Sequence, residues 1–224
     1  MDLERLKEEQ NRLARKLVLK DDFSDLATIA GCQIFYTTTD LIAAVVLLDY
    51  KTHVLIDKKF VVSKPKLPYI PSFQSYREIP PVVEAISQLK QRPDLVMYPS
   101  EGIVHPRKIG SASHLGLVLD LPTIGICKKL CFGEVRGEDI FFGEEKRGVL
   151  LKTKDHAKPL HISPGHKISI ETSLKIVASM TKEGCKLPEP LRIAHNYGLF
   201  VKKNLFKSQD IQEKFDEAVH TLQI

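Results

Sequence analysis

The sequence predicts an α/β fold in which helices cover both faces of one mixed sheet. Three observations carry this. Apolar runs of strand length alternate with stretches of helical period in the order β-β-β-α-β-α-β, followed by C-terminal helices. The run LIAAVVLL (41–48) is apolar at every position, as a central strand covered on both faces would be. The 224 residues contain no linker long or polar enough to separate a pair of domains, so 1–224 reads as a single domain against a prior of roughly 150 residues per domain.

Element by element, residues 1–20 place Leu3, Leu6, Leu13 and Leu17 among balanced charges, an amphipathic helix. Strands are expected at 27–36, 41–50 and 53–62, the last two joined as a hairpin through Tyr50-Lys51-Thr52. KPKLPYIP (64–71) carries three prolines, which remove donors and fix φ, so it is an exposed, stiff loop. A helix is expected over 78–91, starting near Pro80-Pro81, with Val82, Val83, Ile86 and Leu89 as its apolar face. Strands follow at 94–98, 122–127, 147–154 and 160–163, and helices at 105–119, 169–180 and 189–201. Residues 202–224 form an extension. Its apolar Leu205, Phe206, Ile211, Phe215, Val219 and Leu222 suggest one more amphipathic helix.

Composition excludes several classes. With 43% hydrophobic and 27% charged residues the chain is neither disordered nor a disulfide scaffold. No apolar run approaches the ~20 residues a bilayer needs, and MDLERLKEEQ lacks the apolar stretch of a signal peptide. The expectation is a soluble, intracellular protein with no membrane partner, cytoplasmic, a nuclear setting being left open. Cys32, Cys127, Cys131 and Cys185 form no CxxC pair and read as free thiols. No phosphate-binding glycine loop, GxSxG or HExxH occurs. The formal charge is +5. Residues 51–66 hold Lys51, Lys58, Lys59, Lys64 and Lys66 against Asp57, and residues 182–207 are equally basic, while the first 22 residues balance six against six. Such a distribution suits a polyanion.

Chemistry can sit in few places, because ligands of such sheets lie beyond the carboxyl ends of the central strands. Residues 99–113, PSEGIVHPRKIGSAS, follow one such strand. His105, Arg107 and Lys108 at the start of a helix oppose its dipole unless they face a phosphate; the alternative is a solvated helix start. Glu78 can be a functional carboxylate or a dipole partner, and Lys128 and Lys129 a crevice pair or a solvated strand end. His195 among apolar neighbours reads first as a hydrogen-bonded core histidine.

PYIPSFQSYRE (68–78), PDLVMYPSEGIVHPRKIGSASHLGLVLDLPTIGICKK (93–129), SPGHKISIETS (163–173) and PEPLRIAHNY (188–197) are similar, in order and spacing, to the endonuclease V family, from about residue 29 to 201. The resemblance implies a ribonuclease H-like fold. It implies recognition of hypoxanthine in DNA or inosine in RNA, and Mg2+-dependent cleavage at the second phosphodiester 3′ to that base. The family's pattern has an aspartate on the first strand, a glutamate at a helix start, an aspartate ending the strand before the HPR segment, and a late histidine. Glu78 and His195 match the second and fourth, and Lys128 is matched as well. Gln33 and Pro99 stand where the two aspartates are expected, so two of three metal-binding carboxylates are replaced. Glu101 is a candidate substitute.

The binding half of the pattern is fuller. Pro68, Tyr69, Ile70 and Pro71 match the family's wedge, whose aromatic ring fills the space left by a flipped base. Ser72 and Ser100 replace two pocket glycines, while Gly102 keeps a third. His105, Arg107, Lys108, Ser113 and His114 match the remaining positions. The reading is therefore an endonuclease V-like protein that binds DNA or RNA, inosine-containing or not, with silenced or strongly impaired catalysis. One alternative is an active nuclease that uses Mg2+ or Mn2+ through Glu78, Glu101 and His195; without activity no cofactor is implied. Another is an interaction protein, with the terminal helices meeting a partner or a second copy.

Overall fold

In the computed structural model, residues 2–205 are described. β2 (Leu41–Asp49) is buried from Leu41 through Leu48. Its side chains divide alternately between two cores. Ile42, Ala44, Val46 and Leu48 join one cluster, and Leu41, Ala43, Val45 and Leu47 the other, as a period of two requires. β1 (Thr28–Tyr36) and β3 (Leu55–Ser63) flank it, both antiparallel. β1 then pairs in parallel with β4 (Leu95–Tyr98), and β4 in parallel with β5 (Thr123–Cys127). β9 (Leu160–His166), β8 (Glu145–Leu151), β7 (Asp139–Phe142) and β6 (Glu134–Arg136) continue the sheet in antiparallel pairs. The spatial order is β3-β2-β1-β4-β5-β9-β8-β7-β6.

Helices α2 (Ser75–Ser87) and α3 (Ser111–Leu119) bury Val82, Ala85, Ala112 and Leu115 on one face. Helices α4 (Ile170–Ser179) and α5 (Glu189–Asn204) bury Val177, Leu191, Ala194 and Tyr197 on the other. α5 lies unusually close to β1: a Cβ on Gly31 would meet the Pro190 backbone, and one on Gly198 the Phe35 ring. That approach brings the α5 residue His195 against Phe35, ring centroids 5.4 Å apart. α1 (Leu3–Ala14) rests against the loop before α2, capped by Asp2, whose carboxylate accepts from the Glu4 and Arg5 amides.

The structure moves several sequence boundaries. The first helix ends at Ala14 rather than near residue 20. Beyond it the chain runs extended beside β9, with the Val18 amide donating to His166 Nδ1 (3.2 Å) and Val18 oxygen accepting from the Lys167 amide (2.6 Å). α2 starts at Ser75, so Pro80 and Pro81 lie inside it. The most consequential correction concerns the helix expected from residue 105, which begins only at Ser111. Residues 99–110 instead form a turn stapled by Gly102: its amide donates to Ser163 Oγ (2.8 Å), and its carbonyl accepts from the Gly110 amide (2.9 Å). Lys108 in that turn has φ +56, a left-handed conformation that no helix can propagate. The hairpin β6–β7 has no counterpart among the expected elements: β6 is exposed and charged, and β7, with Ile140 buried beside half-buried Phe141 and Phe142, spans only four residues, too short to show a period. The expected strand at 160–163 continues through Pro164 and Gly165 to His166.

No helix among the described residues is long and apolar enough to cross a membrane. The amphipathic helix read from Phe206, Ile211, Phe215, Val219 and Leu222 lies outside the described residues.

Candidate active site

β1, β4 and β5 run parallel and end at one edge of the sheet, where a cleft of about 370 Å³ opens. Each strand delivers one expected position to it. Gln33 comes from β1, Pro99 follows β4, and Lys128 follows β5. Gln33 and Pro99 each lie two residues beyond the paired Gly31 and Met97, at the same end of neighbouring strands, and both line the cleft. α2 adds Glu78 from its first turn, and the loop before it adds Tyr69. Ser100 and Glu101 line the same cleft.

Glu78 is held in an unexpected way. Its Oε1 accepts from the Tyr36 hydroxyl at 2.5 Å and its Oε2 from the Tyr98 hydroxyl at 3.2 Å. Burial raises its pKa, an effect the two phenols and Arg77 oppose. Burial and the neighbouring carboxylate push both tyrosines far above the ordinary phenol range, so they stay protonated and remain donors. Sequence reasoning alone misses Tyr36 and Tyr98. The available signal is that two strands ending at the crevice both close on tyrosine, IFY and VMY, which puts a polar tip on an apolar ring where the core meets the cleft.

The remaining expected residues divide into two groups. Lys128 and Lys129 are exposed at the cleft. His195 is not among the residues lining the cleft; burial and the Lys128 charge lower its pKa, and its buried Nδ1 has no partner among the described residues. Tyr69 is 63% exposed, framed by Pro68 and Pro71, and its hydroxyl accepts from Gln74 Nε2 (3.3 Å). By contrast Gly102, His105, Arg107, Lys108, Ser113 and His114 do not line the cleft. Ser113 is fully buried on α3, and His114 meets the Tyr76 ring edge-on at 5.3 Å. Lys108 Nζ donates to Glu145 of β8 at 2.5 Å, and Glu145 also accepts from Arg147. The cations read as a basic helix start are therefore engaged within the protein, because the turn aims them at β8 and α1. Pro68, Ile70, Pro71 and Ser72 frame Tyr69 without lining the cleft themselves.

The donor set does not fit a magnesium centre. Mg2+ takes hard oxygen ligands in near-octahedral geometry, usually with one or more carboxylates. Here the one carboxylate at an expected position has both oxygens occupied by phenols. Gln33 donates its amide to the Ile34 carbonyl (3.3 Å), and Pro99 has no donor atom on its side chain. The Glu101 carboxylate accepts from Ser100 Oγ at 2.8 Å. Among the described residues no three His, Cys, Asp or Glu side chains converge as a metal site.

A carboxylate in this setting leaves a signature in stability. Because the folded-state pKa of Glu78 is raised, the folded form holds its proton more tightly than the unfolded chain. Its contribution is then most favourable at low pH and is lost as pH rises through the folded value. Glu78→Gln keeps the shape, and a phenol can accept as well as donate. The variant is expected to melt about 2–4 °C above the parent at neutral pH, the shift that one kcal/mol brings in a domain of this size. The two should melt together in mildly acidic buffer, and melting curves across that pH range test this.

A mixed α/β sheet with its cleft at the carboxyl ends of central parallel strands, carboxylate and lysine included, is the architecture of ribonuclease H-like proteins, and that is the class of this chain. Within it, the Endonuclease V family model matches residues 11–196, so the chain belongs to the endonuclease V family. It is 40% identical over 196 residues to endonuclease V of Azotobacter vinelandii, covering 83% of this chain and 88% of that one. It is 36% identical over 196 residues to the Dictyoglomus thermophilum protein, with 84% and 86% covered. Among solved structures it superposes with a TM-score of 0.82 on Ciona intestinalis endonuclease V in complex with a 24mer DNA containing an inosine followed by a ribo-adenosine. Identity there is 26%, covering 91% of this chain and 98% of that one.

Proposed function

We propose that this chain is a nucleic-acid-binding member of the endonuclease V family whose Mg2+-dependent cleavage is silent or strongly impaired. One observation carries the reading: at the carboxyl ends of β1 and β4 the cleft presents Gln33 and Pro99, and the remaining carboxylate, Glu78, is held by Tyr36 and Tyr98. A metal ion in such an enzyme activates water and neutralises charge on the scissile phosphate. A cleft without a set of free carboxylates lacks the means to hold that ion. The same replacements remove negative charge from a cleft bordered by the exposed Lys128 and Lys129, which favours a phosphodiester backbone. Tyr69 supplies an exposed ring on a proline-framed loop for an unstacked base. Inosine-containing DNA or RNA is the proposed ligand, by analogy with the Ciona complex.

A second reading has one observation in its favour. Glu101 lines the cleft and its charge acts on Glu78, so Glu78, Glu101 and His195 can be imagined as a rebuilt set for Mg2+ or Mn2+. Both readings meet the same experiment. The chain is incubated with inosine-containing DNA and RNA in Mg2+ and in Mn2+, with binding followed by fluorescence anisotropy. The expected result is salt-sensitive binding without cleavage. Strong cleavage that disappears in Glu78→Ala would overturn the silent reading and establish the second.

A further inference from the structure

Ser72 ends the PYIP stretch that carries Tyr69 and sits at φ +65, in the left-handed region where a side chain with a Cβ is strained. A strained residue persists only where its surroundings over-determine it, and those of Ser72 do. Its carbonyl accepts from Gln10 Nε2 (2.8 Å) and from His105 Nε2 (3.1 Å), and its hydroxyl accepts from Arg107 Nη2 (2.7 Å). The tautomer of His105 follows from its partners: Nδ1 accepts from the Arg107 amide (3.2 Å), so Nε2 carries the proton. Burial drives the pKa of His105 down to about 4, which keeps this neutral donor in place at physiological pH. Arg107 closes the circuit. Its Nε donates to Gln10 Oε1 at 2.5 Å, and its guanidinium lies 4.8 Å from the Phe73 ring centroid.

Gln10 is the residue with no obvious reason to be where it is. An amphipathic helix ordinarily buries an apolar stripe, yet the buried residue of α1 is this glutamine, 0% exposed. Both ends of its amide serve the loop: the nitrogen holds the Ser72 carbonyl, and the oxygen holds the arginine that grips the Ser72 hydroxyl. A helix that turns its buried position over to a loop backbone is organised around that loop. We infer that Gln10 is a positioning residue for the Tyr69 loop, and that α1 acts as a latch fixing the left-handed turn at Ser72 and, through it, the ring two prolines frame. The inference rests on the reading of Tyr69 as a nucleic-acid contact.

Hydrogen exchange on the full chain separates the two ideas. The Phe73 amide, which donates to the Ile70 carbonyl at 3.0 Å, reports the turn. Gln10→Ala leaves a void, so Gln10→Met, which fills the space without donors, accompanies it; Glu8→Gln on the exposed face of α1 is the control. Loss of the latch is expected to speed Phe73 exchange about tenfold in both Gln10 variants, with α4 and α5 unchanged. It should also weaken binding of single-stranded DNA containing one deoxyinosine by about the same factor. Unchanged Phe73 exchange in both variants overturns the inference, as does faster exchange spread over the whole chain, which would make Gln10 a general stability residue. Faster exchange at Phe73 with undiminished DNA affinity upholds the latch and refutes Tyr69 as the contact.

Discussion

Gln33→Asp combined with Pro99→Asp is expected to produce Mg2+-dependent cleavage of inosine-containing DNA on the order of a thousandfold above the background of the unaltered chain. The magnitude follows from what a metal ion contributes, several kcal/mol of charge stabilisation at the scissile phosphate, at about 1.4 kcal/mol per factor of ten in rate. The geometry is favourable because positions 33 and 99 lie two residues past the paired Gly31 and Met97, at the carboxyl ends of adjacent parallel strands. Two aspartates there would line the same cleft, with Glu78 reaching in from α2. Neither change alone should suffice, because one added carboxylate still leaves the ion short of ligands while Tyr36 and Tyr98 hold Glu78. The single variants are therefore expected within about tenfold of background, a non-additivity characteristic of groups that act as a unit. Glu78→Ala in the doubly restored chain should abolish the gain. A restored chain that binds the DNA and cleaves nothing, in Mn2+ as in Mg2+, would show that something other than the two carboxylates limits the cleft.

The sheet could be read from the sequence wherever burial is two-sided or the period is clean. LIAAVVLL has one physical explanation, a strand with a core on each face, and β2 is that strand. β6 and β7 escaped because strands of three and four residues are too short to display a period, even though β7 buries Ile140; cross-strand pairing and a left-handed Gly137 close the hairpin. The start of α3 escaped for a different reason. Pro106 suits a helix opening, but the segment is fixed by contacts distant in sequence, Gly102 to Ser163 and Lys108 to Glu145, that no local window contains. The site divides along the same line. Gln33, Glu78, Pro99 and Lys128 are legible through the resemblance to endonuclease V motifs, and all four line one cleft. The phenols that hold Glu78, and the glutamine from α1 that holds Ser72, are long-range partners, 20 to 62 residues away along the chain. Their roles become visible only with the fold.

Tyr69→Ala separates stacking from charge, and it carries the second large effect. The ring is 63% exposed on a loop whose prolines on either side fix the backbone before any ligand arrives, so little ordering cost attends its use. Removing it should leave the melting temperature unchanged, since an exposed ring contributes little to the core. Stacking of a base on an aromatic ring is worth ~1–3 kcal/mol, so the affinity for single-stranded DNA is expected to fall between about 5-fold and 150-fold. Tyr69→Trp should restore it. The slope of log affinity against log salt should not change in either variant, because no phosphate contact is lost. Lys128→Ala should do the reverse, lowering the slope by about 0.7 for the single phosphate it releases while removing no stacking. Anisotropy titrations at several salt concentrations read both quantities from one data set. If Tyr69→Ala altered the slope and not the intercept, the loop would be following the backbone of the strand rather than its bases. The chain would then be a binder of phosphodiester polymers without preference for an unstacked base. If neither quantity moved, nucleic acid would meet this fold somewhere other than the cleft where β1, β4 and β5 end.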